Sequence, residues 1–296
     1  MIKYVDKFIL FLKFDLRLSD NTVKSYNNDL NKYIEFLSEN KKIKSLDSVE
    51  YDDVRSYIAF LSKNKQRPSS INRNISSIKK FHLYLLDNEI VSHNPSDLIE
   101  SQKNRRNFPD TLSVDEINKI LDSVEHNSII NIRDKSILSL LYSSGLRVSE
   151  LVNLELSNIF LDQDYIKIIG KGKKERLVPI GLKAKKQLVH YINKSRNNIN
   201  SSYSKGYVFL SYRSKQLTRM AVFNIIKKYT TLSGISKKVS PHTFRHSFAT
   251  HMLEGGADLR VVQELLGHEN INTTEIYTHL DRTYLKEIHK LCHPRG

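Results

Sequence analysis

The stretch SPHTFRHSFATHMLEGGAD sets His242 and Arg245 three residues apart, just behind a serine and a proline. Ser240 can cap a helix that begins at Pro241 and is ended by Gly255 and Gly256, so both side chains share one face of its first turn. An imidazole and a guanidinium beside the free amides of a helix start make a phosphate site. Standing alone, such a pair is more often a helix start with a surface cation. Arg147 lies in SSGLRVSELVNL among Leu146, Val148, Leu151 and Val152, the setting of a buried ion pair with Glu150 as the partner at hand. Lys171 occupies the turn GKGKKE, where Gly170 and Gly172 are too close together for a nucleotide-binding loop. A lysine at a hairpin tip can instead reach a base edge or protonate a leaving oxygen. His268 follows Gly267, which closes a helix that Asp258 can cap, and Tyr277 comes shortly after in TTEIYTH. A phenol of ordinary pKa, about 10, is a poor nucleophile unless cations and a base activate it. Taken singly, each of these residues also has a packing explanation.

Metal chemistry finds less support. His242 and His246 have the i, i+4 spacing of a metal-binding pair, but no glutamate follows His242 and no third ligand can be named. The terminal HKLCHPRG, with His289, Cys292 and His293, is weak for the same purpose because chain ends are usually mobile.

The elements that must position these groups fall into two parts. Val5, Phe8, Ile9 and Leu12 recur at helical spacing. Ser19 to Asn21 offers caps for a second helix carrying Val23, Tyr26, Leu30, Tyr33, Ile34 and Leu37. Asp52 or Asp53 can cap a third helix with Val54, Tyr57, Ile58 and Leu61. After Pro68 a fourth carries Ile71, Ile75, Ile78, Phe81 and Leu85 on one face and Asn72, Arg73, Asn74, Lys79 and Lys80 on the other. This is a small helical domain over residues 1–100, and its basic outer face suits a DNA groove, although such faces are commonly just solvated. The charged segment ending ESQKNRRNFPD supplies a linker, residues 101–110. Residues 111–296 then form a second domain, mostly helical, in which Ser113 and Glu116 form a capping box. Within it, YIKIIGKGKKERLVPI, residues 165–180, reads as a β-hairpin, and YVFLS, residues 207–211, as a further strand.

Lysine and arginine exceed aspartate and glutamate by 47 − 32 = 15, and the basic residues are spread along the chain. A folded body of net charge +15 points to a polyanion, nucleic acid first, because each cation set on a phosphate releases a counterion. The single cysteine rules out an intrachain disulfide and a thiolate-rich zinc site, and fits a reducing cytosol. The first apolar stretch is too short and too charged to span a membrane and lacks a cleavage site, which favours a cytoplasmic protein.

In order along the chain, Arg147 in G-L-R-x-S-E-L, Lys171 in G-K-G-x-K-E-R, His242 and Arg245 in H-x-x-R, His268 in L-G-H, and Tyr277 resemble the full catalytic signature of the tyrosine recombinase (phage integrase) family, and its Xer branch in particular. The likeness extends over essentially the whole chain. It implies a mainly α fold with a small β-sheet: a helical, SAM-like core-binding domain and a mixed, mostly helical catalytic domain that close on DNA as a C-shaped clamp. It implies catalysis with no metal or nucleotide cofactor. Tyr277 would attack the scissile phosphate to give a 3′-phosphotyrosine, and Arg147 and Arg245 would clamp its non-bridging oxygens. Lys171 would protonate the 5′-oxygen, while His242 and His268 would serve as base and hydrogen-bond donors. Arg73, Lys79, Lys80, Lys173 and Lys174 would contact the DNA. The partners implied are double-stranded DNA with a specific core site, a homologous partner recombinase in a heterotetramer or further copies in a self-tetramer, and an activating DNA translocase. The terminal segment from Arg282 would dock on a neighbouring protomer, or else on its own domain. The biological role implied is the resolution of chromosome dimers at a terminus-region site during segregation and cell division. The rival readings are a basic DNA-binding protein without catalysis, a metal-dependent nuclease, and the integrase of a mobile element.

Overall fold

A computed structural model describes residues 1–102, 111–125, 127–170, 175–199, 204–267 and 282–296. The chain divides into two compact units, residues 1–107 and 108–296.

The first unit is built from α1 (Ile2–Phe14), α2 (Asp20–Glu39), α3 (Tyr51–Lys63) and α4 (Pro68–Asp87). Ser19 caps α2 by accepting the Thr22 amide, and Pro68 takes the first position of α4, where its missing N–H costs nothing. The cap of α3 is Glu50, not Asp52 or Asp53. Asp53 lies one turn inside, and its carboxylate accepts the Glu50 amide at 3.1 Å, the reciprocal half of a capping box. Phe8, Leu12, Leu30, Tyr33, Tyr57, Ile75, Ile78, Phe81 and Leu85 fill the core. One histidine is buried with them: His82, fully enclosed on α4, has Nε2 3.0 Å from the Tyr33 hydroxyl.

The second unit is arranged around α6 (Ile129–Ser144), in which every residue from Ser136 to Ser144 is buried. A helix apolar or small on all sides belongs at the centre of a domain. Before it comes α5 (Val114–Asp122), opened by the Ser113–Glu116 capping box. After it, Gly145 turns the chain at φ 55°, and α7 (Val148–Val152) follows. A three-stranded antiparallel sheet, β1 (Ile159–Phe160), β2 (Tyr165–Ile169) and β3 (Glu175–Pro179), pairs Tyr165 with Pro179 and Ile169 with Glu175, so residues 165–180 do form the expected hairpin. The segment 207–211 is not part of this sheet. It makes isolated bridges, Glu155 to Tyr207 and Leu210 to Gln216. Its buried carbonyls are taken instead by the Arg196 guanidinium, at Tyr207 and Val208, and by Arg133, at Leu210. The sheet's remaining strand is the two-residue β1, too short to stand out as a periodic pattern.

Then come α8 (Leu182–His190), which runs through a π-helical turn (Tyr191–Arg196) into the short α9 (Asn197–Ile199), α10 (Arg219–Leu232), α11 (Pro241–Glu254), α12 (Leu259–Leu266) and α13 (Arg282–Cys292). Helix α13 lies on its own domain. Leu285 joins Phe248, Met252, Val262 and Leu265 in one apolar cluster, and His289 is buried with Nε2 2.7 Å from the Ser143 carbonyl oxygen. His293 stacks on His289 with ring centroids 5.0 Å apart and meets the Tyr142 ring at a tilt, 4.7 Å away. These contacts seat the terminal segment within the chain that carries it.

Candidate active site

Helix α11 begins as the sequence requires: Ser240 accepts the Thr243 amide and Pro241 fills the first position. His242 is exposed on its first turn, whereas Arg245 is buried. The Arg245 guanidinium donates through Nη1 to the Gly145 carbonyl at 2.7 Å and through Nη2 to the Leu266 carbonyl at 2.6 Å. Burial, together with the neighbouring Arg147 and Arg176 charges, pushes its pKa down to about 10, with Glu150 acting in the opposite sense.

The remaining charges gather at the start of α7. Arg147 precedes that helix. Its amide donates to Glu150 Oε2 at 2.8 Å, and its Nη1 donates to Glu150 Oε1 at 3.0 Å. The ion pair expected from spacing is therefore present, but Glu150 holds more than one cation. Arg176, from β3, sets a fork on the same carboxylate, Nη1 to Oε1 at 2.8 Å and Nη2 to Oε2 at 2.9 Å, and Arg245 Nη1 stands 4.0 Å from Oε2. Burial alone would raise the Glu150 pKa; the hydrogen bonds and charges of Arg176 and Arg147 outweigh it and hold the carboxyl below its ordinary range. The result is a single buried anion surrounded by three guanidinia. The side chain of Arg147 remains 38% exposed, the most open of the three guanidinium side chains on Glu150.

These arginines share a second anchor. Arg176 Nε donates to the Leu265 carbonyl at 3.0 Å, Arg245 to that of Leu266, and Arg147 Nη2 to that of Gly267 at 3.0 Å. Three consecutive carbonyls at the end of α12, which would otherwise lack partners, are each capped by a different arginine. Gly267 closes the helix at φ 66°, and a Cβ there would meet the Arg176 side chain at 3.1 Å, so glycine serves both the turn and the close approach.

The structure thus brings Arg147 and Arg245 together and places His242 on the same helix as Arg245. Lys171, His268, Tyr277, Lys173 and Lys174 lie outside the described residues. In the first unit, Arg73 directs Nε and Nη2 at Asp29, at 2.9 and 2.8 Å. Lys79 Nζ donates to the Asp97 carbonyl at 3.1 Å, and Lys80 stands 5.9 Å from the Tyr26 ring centroid. Sequence reasoning passed over Arg176. It closes the G-K-G-x-K-E-R motif and enters a strand that turns apolar at Leu177 and Val178, but neither sign gives it a role. Among the described residues, no three His, Cys, Asp or Glu side chains are grouped so as to hold a metal ion.

Two guanidinia converging on the end of α12, in a mostly helical domain that follows a small helical one, make a cationic cluster whose chemistry suits a phosphate. The model of the phage integrase family matches residues 110–283, and that of the phage integrase N-terminal SAM-like domain matches residues 5–89. The chain belongs to the phage integrase family, the tyrosine recombinases, enzymes of DNA cleavage and strand exchange. It is 40% identical over 298 residues to the tyrosine recombinase XerD of Oceanobacillus iheyensis, with all of both chains covered. Among solved structures it resembles the XerH site-specific recombinase bound to its difH substrate, with TM-score 0.70 and 21% identity over 96% of this chain and 82% of that one. It also resembles a lambda integrase tetramer bound to a Holliday junction, with TM-score 0.71 and 15% identity over 94% of this chain and 79% of that one. At these identities the two structures speak to the fold. Among the described residues, no helix is long and apolar enough to cross a membrane.

Proposed function

We propose that the Arg147–Arg245 cluster receives the scissile phosphate of a specific DNA site, where Tyr277 attacks it and becomes joined to the 3′-phosphate while the 5′-oxygen leaves as a hydroxyl. The observation that carries this reading is the convergence of the two guanidinia, 98 residues apart in sequence, on the end of α12, with the Arg147 side chain 38% exposed. Planar forks match the non-bridging oxygens of a phosphoryl transition state better than ammonium groups do. Lys171 is assigned as the general acid toward the 5′-oxygen, His242 as base or phosphate donor, and His268 as a further donor. The phosphotyrosine bond conserves the energy for resealing, so the cycle uses no metal or nucleotide.

The domain over residues 1–100 is assigned to core-site binding, residues 101–110 to a linker, and residues 111–296 to catalysis. Lys79, Lys80, Lys173, Lys174 and the solvent-exposed part of Arg73 serve as DNA contacts. By analogy with its XerD-like relatives, the reaction resolves chromosome dimers at a terminus-region site, in the cytoplasm. It takes place in a tetramer formed with a homologous partner recombinase or with further copies of the chain, under the control of a DNA translocase. The test is a nicked DNA substrate that traps covalent intermediates. The wild-type chain should form a denaturant-resistant protein–DNA adduct that Tyr277→Phe does not. An adduct in Tyr277→Phe, or cleavage abolished by EDTA, would sink this reading.

A further inference from the structure

Arg176 has no place in the chemistry just assigned, yet among the described residues its guanidinium makes three hydrogen bonds within the site, through Nε, Nη1 and Nη2. Its side chain, 12% exposed, spans both oxygens of Glu150 and the Leu265 carbonyl, and packs its stem against Gly267. It therefore ties three separate elements together: β3, the start of α7 and the end of α12. Without it, Glu150 would retain Arg147 as its one close side-chain partner, and the carboxylate that directs the Arg147 Nη1 would lose its two bonds from β3. With it, both oxygens of the carboxylate are held by a second fork that comes from a different element. The amide and Nη1 bonds from Arg147 to Glu150 then fix the fork's direction. The same residue anchors the first of the three carbonyls whose other two are held by Arg245 and Arg147.

We propose that Arg176 is a positioning residue for strand cleavage. It acts through Glu150 and the end of α12 to hold the Arg147 and Arg245 forks in the spacing that a phosphate requires. This inference rests on the function proposed above. Positioning of this kind is costly to lose, since catalytic donors must already be aimed before charge develops. An ammonium in its place keeps the charge but cannot span two carboxylate oxygens and a carbonyl at once.

The experiment uses the full chain as wild type, Arg176→Ala and Arg176→Lys. It measures single-turnover adduct formation on nicked DNA, and binding affinity in a Tyr277→Phe background. Arg176→Ala abandons a buried carboxylate and also tests folding, whereas Arg176→Lys retains a cation there. Arg176→Lys is expected to bind DNA within about threefold of wild type while forming adduct at least about 100-fold more slowly. A second substrate, with one non-bridging oxygen of the scissile phosphate replaced by methyl, presents no anion for the forks to neutralise. On it the defect should shrink to about tenfold or less, an improvement that a protein merely weakened in structure would not show. Adduct formation by Arg176→Lys at the wild-type rate overturns the inference, as does an equal defect on both substrates or a loss confined to binding. Failure of wild type itself to form an adduct overturns the proposed function, and this inference with it. A wild-type adduct together with an unimpaired Arg176→Lys overturns this inference alone.

Discussion

Arg245 donates to the carbonyl of Gly145 at 2.7 Å, so a helix start near residue 241 is fastened to the turn that precedes Arg147. Arg245 is buried and both its Nη atoms donate to main-chain oxygens, so it is a structural brace in addition to the phosphate ligand proposed above. Arg245→Lys should therefore do two things. It should slow adduct formation on nicked DNA by about 100-fold or more, and it should lower stability by about 1–3 kcal/mol through the two abandoned carbonyls. Rapid-quench kinetics and thermal melts separate the two effects; an unchanged melting temperature would contradict the brace.

Glu150 gives a second, pH-linked outcome. Its folded pKa lies below the ordinary 4.5, so its ionised form contributes stability above that pH, and the contribution is lost as pH falls below it. Glu150→Gln should remove this acid sensitivity. It should also cost about 3 kcal/mol at neutral pH, because Arg176 is left buried without its counter-charge. Melting temperatures measured between pH 6 and about pH 2.5 for both proteins check the prediction, and curves that stay parallel below pH 4.5 would refute it.

His82 adds to the same acid sensitivity, but through burial and not through ion pairing. Burial pushes its pKa down to about 4 from 6.5. The folded chain resists protonation that the unfolded chain accepts, so stability is intact above about pH 6.5 and falls as pH drops toward 4, by up to about 3 kcal/mol. His289 and His293 are also depressed by burial and add to the same slope. Replacing His82 by Leu should flatten the wild-type curve between those pH values without abolishing its slope. An identical slope in the variant would show that His82 contributes nothing.

Gly255 tests the seating of the terminal helix. Its φ of −74° suits alanine, but a Cβ there would stand 2.1 Å from the Cys292 carbonyl oxygen, a contact that backbone cannot tolerate. Gly255→Ala should therefore lift the end of α13 while leaving α11 intact. Hydrogen exchange should report faster exchange in residues 282–296 and little change elsewhere.

Much of this organisation could be read before any coordinates, and the reason is local. Ser19, Ser113, Ser240 and Asp258 each accept an amide of their own helix, as their spacing predicted, because capping involves residues within one turn. The hairpin could be read from its glycine-rich turn between β-branched runs. Other features failed for physical reasons. The start of α3 was misplaced by two or three residues because Asp53 is chemically a good cap, yet serves as the reciprocal half of the box. The segment 207–211 has strand composition, but its carbonyls are claimed by arginine side chains more than ten residues away. In the site, Arg147 and Arg245 were legible because the family signature names them. Arg176 was not, because its meaning lies in Glu150 and Leu265, partners 26 and 89 residues distant that no periodicity reveals.

The bond from Arg245 to Gly145 closes a loop 100 residues long, and that length governs when the protein can act. A chain leaving the ribosome has exposed α6, α7 and the whole sheet before α11 and α12 exist. Until then the carbonyls of Leu265, Leu266 and Gly267, on which all three arginines are anchored in the folded chain, have not been made. The nascent protein is basic enough to touch DNA, yet it has half a phosphate clamp. Contacts so distant in sequence form late in folding. Synthesis order therefore leaves the pairing of Arg147 with Arg245 until the last helices have been made.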